Sequence, residues 1–339
     1  MSMTSRERVM RTLEFNHPDR VPRQVWLLPA VWLENDEAII KAFLDRWPAD
    51  ITGPPVNNPA LAALCSGDAY KVGKYRDEWG CEFVSVSPGR IGEVKQPFIS
   101  DWNRLESVRP PVEALEFDRD AVNAFCRASG QFVMMGACAR PFERMQFLRG
   151  TENLYMDIAE ESDELKRLIE IVHGFYVTEM EAWARTDVDA LSFMDDWGSQ
   201  RSLLISPAQW RRLFKPLYAQ YAQIARAHGK KIFMHSDGHI ESIYDDLIEI
   251  GVDAVNSQLF CMNIEEIGKK HAGKITFWGE IDRQHVLASD NPEDARAAVR
   301  RVVDNLYSPA GGVIAQFEMM TNIAQGHAVF EAWEEFTGK

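Results

Sequence analysis

Eight short apolar segments recur along the chain, in alternation with segments of helical pattern. They begin near Arg23, Asp50, Gln131, Asp189, Lys231, Asp253, Ile275 and Gly312. Short apolar runs between helices are typical of buried parallel strands, and eight such units predict an α/β protein of the (β/α)8, or TIM-barrel, class. Because no repeat, linker or low-complexity tract divides the sequence, we expect residues 1–339 to form a single barrel domain.

One segment departs from this alternation. Between Tyr75 and Pro97 the run YRDEWGCEFVSV alternates apolar and polar residues, and it is followed by the turn-forming sequence SPGR. This pattern predicts a β-hairpin inserted near residues 75–97. We expect the hairpin to form a flap over one end of the barrel.

The composition limits the kinds of partner that the chain can have. Its formal net charge of −14 argues against nucleic-acid binding, because a phosphate backbone is normally met by a basic surface. No apolar run is long enough to span a bilayer, and the chain starts with a charged, helical pattern rather than a signal peptide. We therefore expect a cytoplasmic protein with no membrane or nucleic-acid partner.

The stretch KKIFMHSDGHI, from Lys230 to Ile240, is the clearest strand end in the sequence. Its apolar run stops abruptly at His235, and Asp237 follows two residues later. Ligands bind at the carboxyl ends of parallel strands in α/β proteins. We therefore predict that His235 and Asp237 lie in the functional site and act in catalysis.

Polar and aromatic residues also follow the other predicted strands. The residues that we expect to contact substrate are Trp26, Arg140, Trp197, Gln200, Asn256, Glu280 and Asp282. A set so rich in carboxylates, amides and tryptophans indicates a site for a small polar or aromatic molecule. For Arg140, an ion pair with Glu143 is an equally good interpretation.

A divalent metal is one hypothesis for this site. His235, Asp237 and Glu318 form a histidine and carboxylate set that can bind zinc, iron or manganese, although zinc prefers sulfur where sulfur is available. The alternative is a histidine that a neighbouring carboxylate orients without any metal.

Asp195 and Asp196 form a pair of carboxylates at the end of the fourth predicted strand. One member of such a pair can have a raised pKa and donate a proton while the other stays charged, so both are candidate catalytic residues. The alternative is that one of the two acids caps a helix.

A series of motifs runs in order from Ser5 to near Trp333. They are SRERVMRTLEFNHPDRVP, DEWGCEF, LRGTENLYMDI, DDWGSQRSLLISPAQWRRLFKP, KKIFMHSDG, FWGEIDRQHVL and GGVIAQFE. Together they resemble the uroporphyrinogen decarboxylase superfamily, and within it the branch that includes corrinoid-dependent methyltransferases. The resemblance covers almost the whole chain and implies a single (β/α)8 barrel.

The sequence departs from both branches of the superfamily at the expected functional positions. The decarboxylases carry an arginine-rich RQAGR segment, an FSDIL-like strand and an NLGHGI-like strand, where this chain has LLPAVWLE, DITGPPVNN and IAQFEMMTN. The thiol-methylating zinc enzymes use a His-x-Cys motif and a distant cysteine. Here His235 matches, whereas Asp237 and Glu318 stand in place of the two sulfur ligands.

The resemblance therefore implies methyl transfer from a small methylated substrate to or from a corrinoid (cobalamin) carried by a partner protein, assisted by zinc or another divalent metal. His235, with Asp237 and Glu318, would hold the metal or the substrate oxygen, and Asp195 or Asp196 would protonate the leaving group. A lyase that resembles uroporphyrinogen decarboxylase and acts on a carboxylated substrate is one alternative. A non-catalytic binding barrel is another, and a homodimer is compatible with each of the three.

Overall fold

The computed structural model describes residues 3–319 and 322–338 of the chain. The helices are α1 (Ser5–Leu13), α2 (Pro29–Glu34), α3 (Glu37–Arg46), α4 (Pro59–Ala62), α5 (Arg119–Ala128), α6 (Pro141–Arg149), α7 (Thr151–Glu160), α8 (Asp163–Ala184), α9 (Pro207–Leu213), α10 (Lys215–Ala227), α11 (Tyr244–Ile250), α12 (Ile264–His271), α13 (Pro292–Leu306) and α14 (Ile323–Thr337). Short 3-10 helices lie at Trp102–Ser107, Val112–Leu115, Glu241–Ile243 and Leu259–Cys261. None of the described helices has both the length and the apolar character needed to cross a membrane.

All eight predicted parallel strands are present, and three antiparallel strands accompany them. The strands are β1 (Arg23–Leu27), β2 (Ile51–Thr52), β3 (Gly73–Arg76), β4 (Glu82–Ser85), β5 (Glu93–Gln96), β6 (Phe132–Val133), β7 (Ala190–Met194), β8 (Lys231–Ser236), β9 (Ala254–Ser257), β10 (Thr276–Trp278) and β11 (Val313–Met319). Six of them form one parallel sheet in the order β1-β11-β10-β9-β8-β7, and β2 pairs with β6 in a second parallel sheet. Helices alternate with these strands along the chain, as the (β/α)8 prediction requires.

The two parallel sheets meet at two junctions. Between β6 and β7 there are isolated parallel bridges from Met134 to Ala190 and from Ala139 to Phe193. Between β1 and β2 the described residues contain no strand ladder, and the backbone contact is a hydrogen bond of 2.8 Å from Asp50 N to Arg23 O. The strands therefore follow one another in barrel order, but within residues 3–319 and 322–338 no continuous ladder closes a full barrel.

Asp50 joins several segments at this open junction. Its carboxylate is fully buried and accepts hydrogen bonds from Ser5 Oγ at 2.7 Å, Arg8 Nη1 at 2.6 Å, Arg20 Nη1 at 2.7 Å and the Arg23 backbone amide at 2.7 Å. A buried carboxylate requires such partners, because its desolvation costs several kcal/mol. Asp50 therefore links α1 to the start of β1 where ladder hydrogen bonds are missing.

The predicted hairpin is confirmed as an antiparallel insertion and has one more strand than expected. β3, β4 and β5 form a three-stranded antiparallel sheet in that order, so the insertion runs from Gly73 to Gln96. Tyr70, Arg90 and Ile91 from this part of the chain line a cavity together with Arg283 and Glu318. The insertion therefore lies beside the carboxyl ends of the parallel strands, whereas the prediction did not say which end of the barrel it would cover.

The start of α9 illustrates how local sequence determines these helices. Ser206 Oγ accepts a hydrogen bond of 3.2 Å from Gln209 N, and Pro207 occupies the first turn. Both features satisfy or remove amide donors that a helix leaves free at its beginning. The sequence Ser206-Pro207 therefore determines where α9 begins.

Candidate functional site

A cavity of about 660 Å³ opens at the carboxyl ends of the parallel strands. Among the predicted site residues, Trp26, Arg140, His235, Asp237 and Glu318 line it. This volume suits a small organic molecule. The structure thus brings together residues from the carboxyl ends of three strands, β1, β8 and β11, and from the loop after β6.

His235 lies in β8 and is the centre of the site. Its Nδ1 atom is 2.6 Å from Asn256 Oδ1. Asn256 is fully buried, and its amide nitrogen donates to Trp278 O and, at 2.7 Å, to Gln316 Oε1. Because these contacts fix the amide nitrogen of Asn256, its oxygen accepts the Nδ1 proton of His235, which leaves Nε2 available to face other groups.

Two aspartates face Nε2 of His235. Asp196 Oδ1 is 3.6 Å and Asp237 Oδ1 is 3.7 Å from this nitrogen, and the three ligand atoms lie within 4.8 Å of one another. Asp237 Oδ1 is buried and has no hydrogen-bond partner among the described residues. Burial lowers the pKa of His235, but the charges of Asp196 and Asp237 outweigh it and raise the pKa above its usual value.

Two glycines allow this close approach. Gly198 N donates to Asp237 O at 3.0 Å, so the loop after β7 touches the loop after β8. A Cβ atom on Gly198 would lie 2.1 Å from His239 N, and one on Gly238 would lie 2.0 Å from Gly198 O. A larger residue at either position would therefore push the Asp196 and Asp237 loops apart.

The donor set fits a divalent metal ion. One imidazole nitrogen and two carboxylate oxygens suit zinc, iron or manganese, and a metal-bound histidine normally donates its other N–H to an oxygen acceptor, as His235 does to Asn256. The unpaired Asp237 Oδ1 is the atom that such an ion would satisfy. In this grouping Asp196 takes the place that the sequence analysis gave to Glu318.

Glu318 instead contacts Arg283, a residue that the sequence analysis missed. Arg283 Nη1 donates to Glu318 Oε2 at 2.9 Å, and Nη2 donates to Asp237 Oδ2. The neighbouring Glu280 is 2% exposed, with Oε1 3.7 Å from Arg283, and burial raises its pKa to about 8. The only signal for Arg283 in the sequence is its place in the loop after β10.

Asp195 is buried away from the cavity lining. It accepts hydrogen bonds from Phe142 N at 3.0 Å, Glu143 N at 2.7 Å and Tyr218 Oη at 2.6 Å. Burial raises the pKa of Asp195, and these donors act against the increase. The contacts attach the first turn of α6 to the end of β7, while the catalytic role of Asp195 stays a prediction.

Trp197 is fully buried as well. Its ring stacks on Phe142 with the centroids 3.9 Å apart, and its Nε1 donates to Tyr218 Oη at 2.8 Å. The structure does not place it among the residues that line the cavity. Its predicted contact with substrate is therefore not seen in this arrangement.

The attachment of α6 positions Arg140 at the cavity, with Glu143 beside it. Arg140 Nη1 is 3.9 Å from Glu143 Oε2, so the ion pair considered for Arg140 is present. Glu143 Oε2 is buried without a hydrogen-bond partner. Burial, together with the charge of Asp196, raises the pKa of Glu143 to about 7. The sequence analysis named Glu143 only as a partner of Arg140 and did not predict that Glu143 could act as a proton donor.

The remaining predicted residues lie next to the main cavity. Gln200, Glu280 and Asp282 line a smaller adjoining cavity of about 70 Å³. Asn256 lies behind His235, which it orients. Trp26 packs its ring edge against His235 with the centroids 5.4 Å apart.

Comparison with known proteins agrees with this architecture. The family model described as uroporphyrinogen decarboxylase (URO-D) matches residues 77–329. A methyltransferase from Methanosarcina mazei has the same fold, with a TM-score of 0.68 and 15% sequence identity, over 99% of this chain and 100% of that chain. A 3-keto-D-glucoside 4-epimerase from E. coli is more distant, with a TM-score of 0.36 and 12% identity over 70% of this chain and 94% of that chain. None of the curated protein sequences matches the chain.

Proposed function

The chain belongs to the uroporphyrinogen decarboxylase (URO-D) family, and we propose that it transfers a methyl group between a small methylated substrate and a corrinoid carried by a partner protein. The observation that carries the proposal is the orientation of His235. Its Nδ1 proton is held by Asn256, so its Nε2 atom faces two aspartate oxygens beside an open cavity. Such a set is suited to activating an oxygen-bound methyl group.

Asp196, His235 and Asp237 would hold the metal ion, and zinc is the first candidate. When bound, the ion would act as a Lewis acid toward the oxygen from which the methyl group departs. Arg283 keeps Asp237 in place by binding Oδ2 and leaving Oδ1 free.

A departing alkoxide or phenolate also requires a proton. The sequence analysis gave this role to Asp195 or Asp196, but Asp196 is assigned to the metal ion here. Glu143 is the candidate donor, because its pKa of about 7 leaves it partly protonated near neutral pH. Asp195 would contribute indirectly by holding the start of α6, which carries Glu143.

The corrinoid would enter through the open mouth of the cavity. Apolar side chains are exposed on α2 and on the insertion, which flank this mouth: Leu33 is 64%, Ile91 is 53% and Val86 is 86% exposed. Exposed apolar residues of this kind favour contact with another protein. They are the surface on which we expect the corrinoid protein to bind.

Decarboxylation of a polycarboxylated substrate fits the cavity less well. Both arginines of the main cavity already have carboxylate neighbours, Glu143 for Arg140 and Asp237 with Glu318 for Arg283. A substrate with many carboxylates would have to displace these contacts in an acidic environment. We expect no product when the protein is incubated with uroporphyrinogen.

Zinc binding by the purified protein tests the proposal. We expect close to one zinc per chain in the wild type and none in His235→Ala, measured by elemental analysis after equilibration with zinc. His228→Ala is the matched control, because His228 pairs with Glu181 outside the site and should leave zinc binding unchanged. Methyl transfer is then followed with free cob(I)alamin as acceptor and a set of small methyl ethers as donors, by the absorbance of methylcobalamin.

Two results would contradict this assignment. A wild-type protein that binds no zinc, iron or manganese would remove the role given to His235. Equal zinc binding in His235→Ala would show that the ion lies elsewhere.

A further inference from the structure

A second cavity of about 470 Å³ adjoins the main one. Gly136, Ala137, Cys138 and Arg140 line both cavities, so the two spaces adjoin at the segment between β6 and α6. The insertion, α6 and α8 supply most of the other walls, and residues from α4 to Tyr70 and from the 3-10 helix at Val112–Leu115 complete them. We call this space the second compartment, and its volume suits a small organic ligand.

Aromatic rings form much of the second compartment. Trp79 and Phe175 meet edge to face with their centroids 5.2 Å apart, and Phe83 and Phe147 do the same at 5.1 Å. Aromatic faces favour apolar groups and also attract cations. These walls are therefore suited to an apolar or aromatic ligand body.

Glu179 on α8 is the unusual residue of this space. It lines the second compartment and is 6% exposed, yet it has no hydrogen-bond or ion-pair partner among the residues that the structure describes. Burial raises its pKa to about 7, and the charge of Glu78 contributes. Buried carboxylates are nearly always paired, so an unpaired one beside a cavity indicates a missing partner.

The arginines nearby do not supply that partner. Arg144 binds Asp77 and, at 3.0 Å, Glu78, while Arg140 has Glu143 at 3.9 Å. The two arginines thus already have three carboxylate neighbours, and Glu179 is a fourth carboxylate nearby. An anionic ligand would meet an excess of negative charge, whereas a cationic ligand would reduce it.

We propose that the second compartment binds a small organic cation, an amine with an apolar or aromatic body, whose ammonium group pairs with Glu179. The aromatic walls hold the body of this ligand. The site is defined without the metal set or the corrinoid, so it does not depend on the proposed methyl transfer.

The probe for this proposal is 2-phenylethylamine, and 3-phenylpropionate is its anionic counterpart. We expect the amine to bind the full-length wild type in isothermal titration calorimetry, with an affinity at least about 10-fold lower in Glu179→Gln, because a charge-assisted contact is lost. Glu181→Gln is the matched control. Glu181 lies on the same helix, but it pairs with Arg185 and His228 outside the second compartment and should not change binding.

Binding of the amine should also tighten as the pH is raised through about 7, since the carboxylate form of Glu179 then predominates. The charged and titratable groups that face Glu179 are Glu78, Arg144, Arg140, Tyr176, Tyr221 and Cys138, and the two arginines stay charged throughout. Glu179→Gln removes a buried charge without changing shape, so the variant should fold. Its melting curve checks this.

Three results would overturn the proposal. These are no binding of the amine to the wild type, equal affinity in Glu179→Gln, and stronger binding of phenylpropionate than of the amine. Because these titrations contain neither metal nor corrinoid, failure here is distinguishable from failure of zinc binding at His235.

Discussion

Replacement of Asn256 by alanine should weaken metal binding although Asn256 is not a ligand. In the native structure Asn256 Oδ1 accepts the Nδ1 proton of His235 at 2.6 Å, which directs Nε2 toward Asp196 and Asp237. Alanine removes this acceptor and lets the imidazole ring rotate. Loss of such a partner typically costs 10- to 100-fold in metal affinity, or about 1.4 to 2.7 kcal/mol.

The same substitution has a cost in stability that must be separated from the effect on affinity. Asn256 Nδ2 also donates to Gln316 Oε1 at 2.7 Å and to Trp278 O. Alanine leaves these buried acceptors without a donor, which costs about 1 to 3 kcal/mol. Asn256→Asp separates the two effects, because it keeps the acceptor for His235 but places oxygen against oxygen at Gln316.

The assay is competition for zinc against a fluorescent chelator at fixed pH, together with a denaturant melt of each variant. We expect Asn256→Ala to lose both affinity and stability, and Asn256→Asp to lose stability while retaining most of the affinity. If Asn256→Ala binds zinc as tightly as the wild type, the tautomer assigned to His235 is wrong. Equal losses of affinity in the two variants would lead to the same conclusion.

Three further predictions concern other parts of the fold. Asp50→Ala should destabilise the protein by about 3 to 5 kcal/mol in urea melts, because it removes the buried acceptor shared by Arg8 Nη1, Arg20 Nη1 and the Arg23 amide, although Arg8 keeps its pair with Asp19. An effect below about 1 kcal/mol would show that the β1–β2 junction does not need Asp50. Trp197→Ala should lower the free energy of unfolding by about 3 to 5 kcal/mol, because the buried ring no longer packs on Phe142. A much smaller loss of stability would favour a role for Trp197 at the cavity. The pKa of Glu280 is raised to about 8 in the folded protein, from 4.5 in the unfolded chain. Its contribution to stability is therefore fully present below pH 4.5 and is lost as the pH rises through about 8. The loss is at most about 1.4 kcal/mol per pH unit. Glu280→Gln should remove that decline, and pH-dependent melts with the same slope in both proteins would contradict the assignment.

The strands were predictable because their signal is local. Each of the eight parallel strands is a short apolar run that the alternation with helices places in order, and the apolar run of β8 ends at the histidine of the site. The third strand of the insertion was missed because Glu93–Gln96 is polar and largely exposed, with no alternation of apolar residues. A strand that buries little has no periodic signal to detect.

The partners of the site residues were not predictable in the same way. Asp195 reaches the first turn of α6 across 52 residues of sequence to Glu143, and Arg283 reaches Asp237 across 46. These contacts depend on how strand ends face one another around the sheet, which composition and spacing do not encode. The pair Asp195-Asp196 shows the limit well, because one residue is buried against α6 and the next faces His235.

The arrangement of charge at the mouth explains how so many acids can be accommodated there. Arg283 lies within ion-pair distance of Asp237, Glu280 and Glu318, and one guanidinium cannot balance three carboxylates. A proton on Glu280, whose pKa of about 8 permits it near neutral pH, reduces the excess. A divalent ion between Asp196 and Asp237 would reduce it too, and the added positive charge would favour the ionised form of Glu280. Metal binding should therefore release this proton, so the same acids remain compatible with a stable fold whether or not the ion is bound.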